Sequence, residues 1–176
     1  MLPTLTTNRL VLRPLVPGDA RDVHRFLSDA QVMRYWSSGP HADVAETERF
    51  IVGNCIGGAY ESWAITESGG PAMGWLNLGE RRPAVYETGY ILGSDYWGRG
   101  FAREALSAGL EYVFGTLGAR RIFADTDPEN AASIRMLEGL GFMREGHLRG
   151  EWETHIGIRD SLIFGILENE WGSRLA

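Results

Sequence analysis

Two closely spaced glycines, Gly98 and Gly100, lie between a strand-like and a helix-like segment in the run YILGSDYWGRGFAREAL. The first N–H groups of a helix have no intrahelical partner and carry the positive end of its dipole, so they attract anions. Because glycine lets a ligand approach the backbone, a phosphate or pyrophosphate is the natural ligand. The same spacing also fits a plain tight turn into a helix, so other residues must decide.

Two other phosphate-binding motifs can be compared with this loop. A P-loop places Lys and then Ser or Thr after its last glycine, where this chain has Phe101 and Ala102. A dinucleotide fingerprint requires a further glycine where this chain has Arg103. Asp125 could still act as a ribose-binding acid, so a nucleotide-binding module stays open as an alternative. It is disfavoured because no second half of a doubly wound fold follows.

The glycine loop must be positioned by the elements on either side of it. A strand is predicted from Val85 to Leu92, and an apolar stripe predicts a helix from Phe101 to Leu117, ended by Gly118. The remaining pattern predicts strands at 9–15, 121–126, 142–150 and 158–167, a hairpin around the turn 67–71, helices at 43–55 and 130–139, and a helix capped by Asp19 that carries Val23, Phe26 and Leu27.

The order of these elements indicates the fold class. Strands and helices alternate in the second half of the chain, and the first half contains a hairpin. This favours an α/β fold in which helices cover both faces of a mixed sheet. With 176 residues, the chain is expected to form a single domain, 1–176.

Composition and charge disfavour several classes of function. The formal net charge of −6 argues against direct binding of nucleic acid. Cys55 is the only cysteine and the four histidines lack metal-ligand spacing, so no disulfide and no metal site are expected. No apolar run reaches membrane-spanning length, so we expect a cytoplasmic protein without a membrane partner, either monomer or homodimer.

Four segments occur in a fixed order: TNRLVLRPL, ETGYILGSDYWGRGFAREAL, DPENAASIRMLEGLGFMREGHLRG and DSLIFGILENEW. Together they cover nearly the whole chain and resemble the GNAT acetyltransferase superfamily, specifically the ribosomal-protein N-terminal acetyltransferase branch. Two positions depart from the family pattern. Asp95 stands where Gln or Arg often begins the pyrophosphate loop, and Gly139 stands where relatives often carry Lys.

The resemblance implies a strongly twisted sheet of six to seven strands, in which the parallel strands 85–92 and 121–126 splay apart to admit acetyl-CoA. The pyrophosphate would lie on backbone N–H groups of 97–102, and pantetheine would run along 90–92. The implied cofactor-binding residues are Tyr90, Ile91, Leu92, Trp97, Gly98, Arg99, Gly100, Phe101, Ala102, Asn130 and Ser133.

Acetyl transfer by direct attack needs a neutral amine, a donor to the developing oxyanion and a proton for the leaving thiolate. We expect the oxyanion donor to be a backbone N–H near Ile91 or Leu92. The two candidates for the general base are Glu87 and Asp125, and Ser133 is the candidate acid.

The nature of the acceptor amine is indicated by its proton affinity. An α-amino group has a pKa of about 8 and is partly neutral at pH 7, whereas Lys, at about 10.4, costs roughly 3 kcal/mol more to deprotonate. Since no strong base is evident, the N-terminus of a protein or peptide is the leading acceptor. A small-molecule amine, such as an antibiotic or a polyamine, and a non-catalytic acyl-CoA-binding module remain alternatives.

Overall fold

The computed structural model describes residues 2–56 and 58–175. The strands are β1 (Leu5–Thr6), β2 (Leu10–Pro14), β3 (Glu61–Glu67), β4 (Gly74–Arg82), β5 (Val85–Leu92), β6 (Arg121–Thr126), β7 (Met143–Thr154) and β8 (Gly157–Leu167). The helices are α1 (Ala20–Leu27), α2 (Val44–Phe50), α3 (Phe101–Gly115), α4 (Ala131–Leu140) and α5 (Glu168–Leu175). Within the described residues, no helix combines the length and apolar character needed to cross a membrane.

The strands form one sheet in the order β1-β2-β3-β4-β5-β6-β8-β7. Neighbouring strands are antiparallel except β5 and β6, which run parallel and are connected through α3. A parallel pair requires such a crossover, because the chain must return to the same end of the sheet.

The alternation of side chains along β4 divides the apolar interior into two layers. Leu76 and Leu78 belong to the layer that includes Leu106 and Leu110 of α3. Trp75, which immediately precedes Leu76, belongs to the layer that includes residues of α1 and the π-helical turn after α2. Helices therefore cover both faces of the sheet.

The parallel strands β5 and β6 stay together for only three residue pairs. Val85, Tyr86 and Glu87 of β5 pair with Arg121, Ile122 and Phe123 of β6. From Thr88 onward β5 keeps β4 as its partner on one edge, while its other edge separates from β6. A gap therefore opens at the C-terminal ends of the two parallel strands, where open α/β sheets bind ligands.

The fold class expected from the sequence is confirmed, with local differences. The strand expected at 142–150 continues to Thr154 as β7. In the part of the chain that the structure describes, the sheet has eight strands rather than six to seven, because Leu5 and Thr6 add a short edge strand. The helix expected at 43–55 consists of α2 followed by a π-helical turn at Ile51–Cys55. The helix expected to reach Leu117 ends at Gly115, and Gly118 follows in a left-handed conformation.

The prediction that Asp19 caps α1 with its side chain is wrong. The buried Asp19 carboxylate accepts hydrogen bonds from the Arg13 guanidinium, at 2.6 and 2.9 Å, and from the Val16 N–H at 3.0 Å. A charged donor close by competes better for the carboxylate than a helix N–H does. Asp43 does cap its helix, since its Oδ1 accepts from the Glu46 N–H at 2.7 Å.

Gly74 is required for the close approach of β4 to β5. A Cβ added there would press on the Ile91 carbonyl oxygen and lie 2.9 Å from the Leu92 Cα, both of which are backbone atoms. We expect Gly74→Ala to lower the free energy of unfolding by about 1–3 kcal/mol, measured by urea unfolding. Gly115→Ala is the matched control, because beyond its chain neighbours and its own helix backbone no atom of the described residues lies within 4 Å of the added Cβ. Equal stability of the two variants would contradict this prediction.

Candidate active site

A cavity of about 840 Å³ opens where β5 and β6 separate. Its walls are the two strands, the first turns of α3 and α4, and the segment 31–37 after α1. Side chains from β7 and β8 close its other end, among them Trp152, Arg159 and Ser161. Its volume is typical of clefts that bind small molecules and cofactors.

The loop between β5 and α3 forms one end of the cavity. Gly98 and Gly100 have φ angles of +73° and +79°, a region that strains any residue with a Cβ. The indole of Trp97 donates to the Leu92 carbonyl at 2.7 Å, and Arg9 donates to the Arg99 carbonyl at 2.9 Å. No side chain of the described residues caps α3, so its first N–H groups are available to an anion in the cavity.

The side chain of Arg99 lies outside the cavity. It stacks over the Phe101 ring at 4.5 Å from the ring centroid and reaches Glu67 at 3.4 Å. The other residues implied for cofactor binding all line the cavity. Arg99 can therefore contribute to a ligand through its backbone but not through its guanidinium.

Arg103 brings a positive charge to the same end of the cavity. Its Nη2 donates to the Gly139 carbonyl at 3.0 Å, and a Cβ at position 139 would lie 3.1 Å from its Nη1. Glycine at 139 therefore makes room for the Arg103 guanidinium, which α3 places there. Of the cavity arginines, Arg34 and Arg159 pair with carboxylates, whereas Arg103 has no carboxylate partner in 2–56 and 58–175.

Ser133 and Tyr90 meet across the gap between α4 and β5. Their hydroxyl oxygens lie 2.6 Å apart. Burial raises the pKa of the Tyr90 phenol to about 12, so it stays protonated at neutral pH and can donate to Ser133. Asn130 caps α4, with its Oδ1 accepting from the Ser133 N–H at 3.2 Å. This cap fixes the position of Ser133 at the start of the helix.

Glu87 is engaged in an ion pair on the sheet. Its Oε2 accepts from Arg81 Nε at 2.5 Å and from the Tyr60 hydroxyl at 2.8 Å. Glu87 lines the cavity, but Arg81 and Tyr60 already bind the same oxygen of its carboxylate, an arrangement that suits a structural role better than a catalytic one.

Asp125, unlike Glu87, is bound by neutral donors and not by an arginine of the described residues. Its Oδ2 accepts from the Trp152 indole N–H at 2.8 Å and from the Ser161 hydroxyl at 3.3 Å, both neutral donors. Burial, with a smaller contribution from the Glu87 and Glu151 carboxylates, raises the pKa of Asp125 above its ordinary value, and the two hydrogen bonds oppose this rise. Both donors bind Oδ2, and no described residue donates to Oδ1.

The acids that follow β6 form a charge network with arginines. Asp127 accepts from Arg159 at 2.7 and 2.9 Å. Glu129 lies 2.9 Å from Arg159 and 3.7 Å from Arg34, and its carbonyl accepts from the Tyr35 hydroxyl at 3.2 Å. The segment that contains Tyr35 therefore crosses to the start of α4 and closes one side of the cavity.

Sequence reasoning overlooked the roles of three side chains. The sequence assigns Tyr90 a role only through its backbone and Arg103 only as a departure from a dinucleotide fingerprint, and it gives Trp152 no role of its own. The missing Lys at 139 was the one available signal for Arg103. Nothing in the local sequence around Trp152 indicates its contact with Asp125.

Residues 9–143 match the acetyltransferase (GNAT) domain family. A protein named uncharacterized N-acetyltransferase p20, from Bacillus licheniformis, is 32% identical over 176 residues, which is 97% of this chain and 99% of that protein. The structure of spermidine N-acetyltransferase from Vibrio cholerae in complex with CoA and spermine has a TM-score of 0.81 and 26% identity, covering 94% of this chain and 99% of that one. This chain therefore belongs to the GNAT acetyltransferase family. It is an acetyl-CoA-dependent N-acetyltransferase, as expected from the sequence.

The match to the expected branch of the family is narrower. The [ribosomal protein uS5]-alanine N-acetyltransferase of Escherichia coli strain K12 is 35% identical over 74 residues, 39% of this chain and 38% of that protein. Membership of the ribosomal-protein branch therefore stays a prediction.

We expect Arg103→Gln to raise the KM for acetyl-CoA by about 3- to 10-fold with little change in kcat, because its guanidinium lies at the end of the cavity expected to hold the phosphates and would stabilise the bound anion. The readout is release of free thiol. Arg120→Gln is the matched control, since Arg120 is also exposed and donates to a carbonyl, that of Pro83, at 3.0 Å. With S-acetylpantetheine, which lacks the pyrophosphate and the 3′-phosphate, the KM should be the same for wild type and Arg103→Gln. A KM for acetyl-CoA unaffected by Arg103→Gln would contradict this prediction.

Proposed function

We propose that this enzyme acetylates the α-amine of a peptide or protein N-terminus and that Asp125 is its general base. The proposal is supported by the hydrogen-bond partners of the Asp125 carboxylate. Four other carboxylates line the cavity, namely those of Glu87, Asp127, Glu129 and Asp160, and each pairs with an arginine or a histidine. Asp125 has only neutral donors among the described residues, and both bind one of its two oxygens.

Different residues of the cavity would act as the general base, as the donor to the leaving sulfur and as the donors to the oxyanion. Bound acetyl-CoA supplies an electrophilic thioester carbonyl. Asp125 Oδ1 accepts the proton from the acceptor amine, and Ser133, backed by the protonated Tyr90, donates toward the leaving sulfur. Backbone N–H groups near Ile91 or Leu92, on the edge of β5 that leaves β6, supply hydrogen bonds to the developing oxyanion.

The pKa of Asp125 supports an acceptor that releases its proton readily. A carboxyl group with a raised pKa is still a much weaker base than an amine. It can remove a proton from an α-ammonium group of pKa about 8 at lower cost than from a Lys or polyamine ammonium of pKa about 10. The aromatic side chains of Tyr35, Trp36 and Trp152 line the same cavity and suit an acceptor with apolar character beside its amine.

A polyamine is the second candidate acceptor, favoured by the likeness to a spermidine acetyltransferase whose structure contains spermine. A polyamine carries several cations, which unpaired carboxylates in the cavity would stabilise. In the cavity, the carboxylates of Asp127 and Glu129 form ion pairs with Arg159 and Arg34, and the Glu87 carboxylate forms one with Arg81. Because these ion pairs neutralise most of the negative charge in the cavity, they favour an acceptor with a single ammonium group.

We expect Asp125→Asn to lower kcat by about 100-fold or more and to leave the KM for acetyl-CoA close to that of wild type. In wild type, kcat/KM should fall as the pH drops through the raised pKa of Asp125, because only the carboxylate accepts a proton. The variant should lose this acid limb.

Glu87→Gln is the matched comparison for this test, since Glu87 lies on the neighbouring strand but is held by Arg81. Its kcat should stay within about 3-fold of wild type. The base would be Glu87 instead if Glu87→Gln lost the acid limb and Asp125→Asn kept it.

Competing acceptors test the substrate class directly. With a tetrapeptide amide that begins with alanine and has a free α-amine, we expect kcat/KM to exceed that for spermidine by about 10-fold or more. The reason is that the Asp125 carboxylate can bind the one ammonium group of the peptide but not the several of spermidine. The same peptide acetylated at its N-terminus and containing one Lys controls for side-chain acetylation. A higher kcat/KM for spermidine than for the peptide would overturn the proposed acceptor.

A further inference from the structure

The indole of Trp152 reaches Asp125 from a strand that is not its neighbour. The strand order β6-β8-β7 places β8 between them, and adjacent strands lie about 4.8 Å apart. The side chain must therefore extend over β8 to bring its N–H within 2.8 Å of Asp125 Oδ2. On β8 it passes near the small Ser161, whose hydroxyl binds the same oxygen.

A β-bulge precedes Trp152 on β7. Leu148 pairs with Ser161 and Trp152 pairs with Arg159, so β7 has two more residues than β8 between these pairs. Gly150, within the bulge, has a φ of +63°, and its N–H donates to Asp160 Oδ1 at 2.8 Å. Bulges bend a strand and redirect its side chains, and they are frequent beside active sites.

Core packing does not explain the position of Trp152. Its side chain is 46% exposed, and the residues around it on β7 are exposed as well. The indole nevertheless lines the cavity and donates its N–H to the Asp125 carboxylate. Of the two donors to Oδ2, it makes the shorter hydrogen bond, 2.8 Å against 3.3 Å.

We propose that Trp152 is a positioning residue for acetyl transfer: through its N–H it orients the Asp125 carboxylate, so that Oδ1 faces the acceptor amine, and holds that carboxylate in its charged form. The inference rests on the proposed role of Asp125 as base. The charged groups that act on Asp125 are Glu87 from β5 and Glu151 from β7, both of which favour its protonated form. The Trp152 N–H opposes them.

The test is the substitution Trp152→Phe, which keeps an aromatic ring and removes the donor. The pKa of Asp125 is read from its carboxyl ¹³C resonance, which is assigned by its loss in Asp125→Asn. We expect this pKa to rise by about one pH unit. With the alanine-initiated tetrapeptide amide, the acid limb of kcat/KM should move to higher pH by the same amount. The KM for acetyl-CoA should stay within about 2-fold of wild type.

Trp171→Phe is the matched control, because the Trp171 indole nitrogen is buried and has no hydrogen-bond partner among the described residues. It should leave the pKa of Asp125 unchanged. Ser161→Ala should raise that pKa by less than Trp152→Phe does, since its hydrogen bond is longer. An Asp125 pKa that is the same in Trp152→Phe as in wild type would overturn the inference.

Failure of the proposed base is a separate result. If Asp125→Asn kept the kcat of wild type, Asp125 would not be the base and Trp152 would have no catalytic group to position. The ¹³C titration would then still measure whether the indole controls the carboxylate, so the two failures are distinguishable.

Discussion

The separation of β5 from β6 after Glu87 is the constraint on which the rest of this structure depends. Backbone N–H and C=O groups need partners, and a strand that leaves its neighbour has unpaired groups along one edge. The sheet stays intact because β4 continues to pair with the other edge of β5, and β8 with the other edge of β6. The unpaired edge can therefore bind acetyl-CoA, and the loop at the start of α3 lies beside it.

The pleat of β5 and β6 places the proposed proton transfers on opposite faces of the sheet. Tyr90 packs with the layer under α3 and α4, where Ser133 lies. Ile122 and Ala124 of β6 point into the same layer, so Asp125 points to the other face, toward α1 and α2. An amine that arrives on one face and a thiol that leaves toward the other do not compete for the same space.

Local patterns predicted most of the fold, because apolar periodicity and glycines act through neighbours in sequence. The bounds of β5 and β6 and the loop at Gly98 and Gly100 followed from them. Contacts across the sheet could not be predicted this way. The contact of Trp152 with Asp125 requires the strand order, and the pairing of Asp19 with Arg13 requires knowing which of two donors comes closer. The choice between Glu87 and Asp125 likewise depended on partners distant in the chain.

The place of Trp152 on the outermost strand has an evolutionary consequence. A substitution in the core has a cost in packing, whereas one at an exposed position on the edge of a sheet changes the free energy of unfolding little. If the acidity of the base is controlled from this edge, related enzymes can diverge in the pH at which they work through surface substitutions alone. Their folds and cofactor sites would then stay the same while the pH of their cellular surroundings differs.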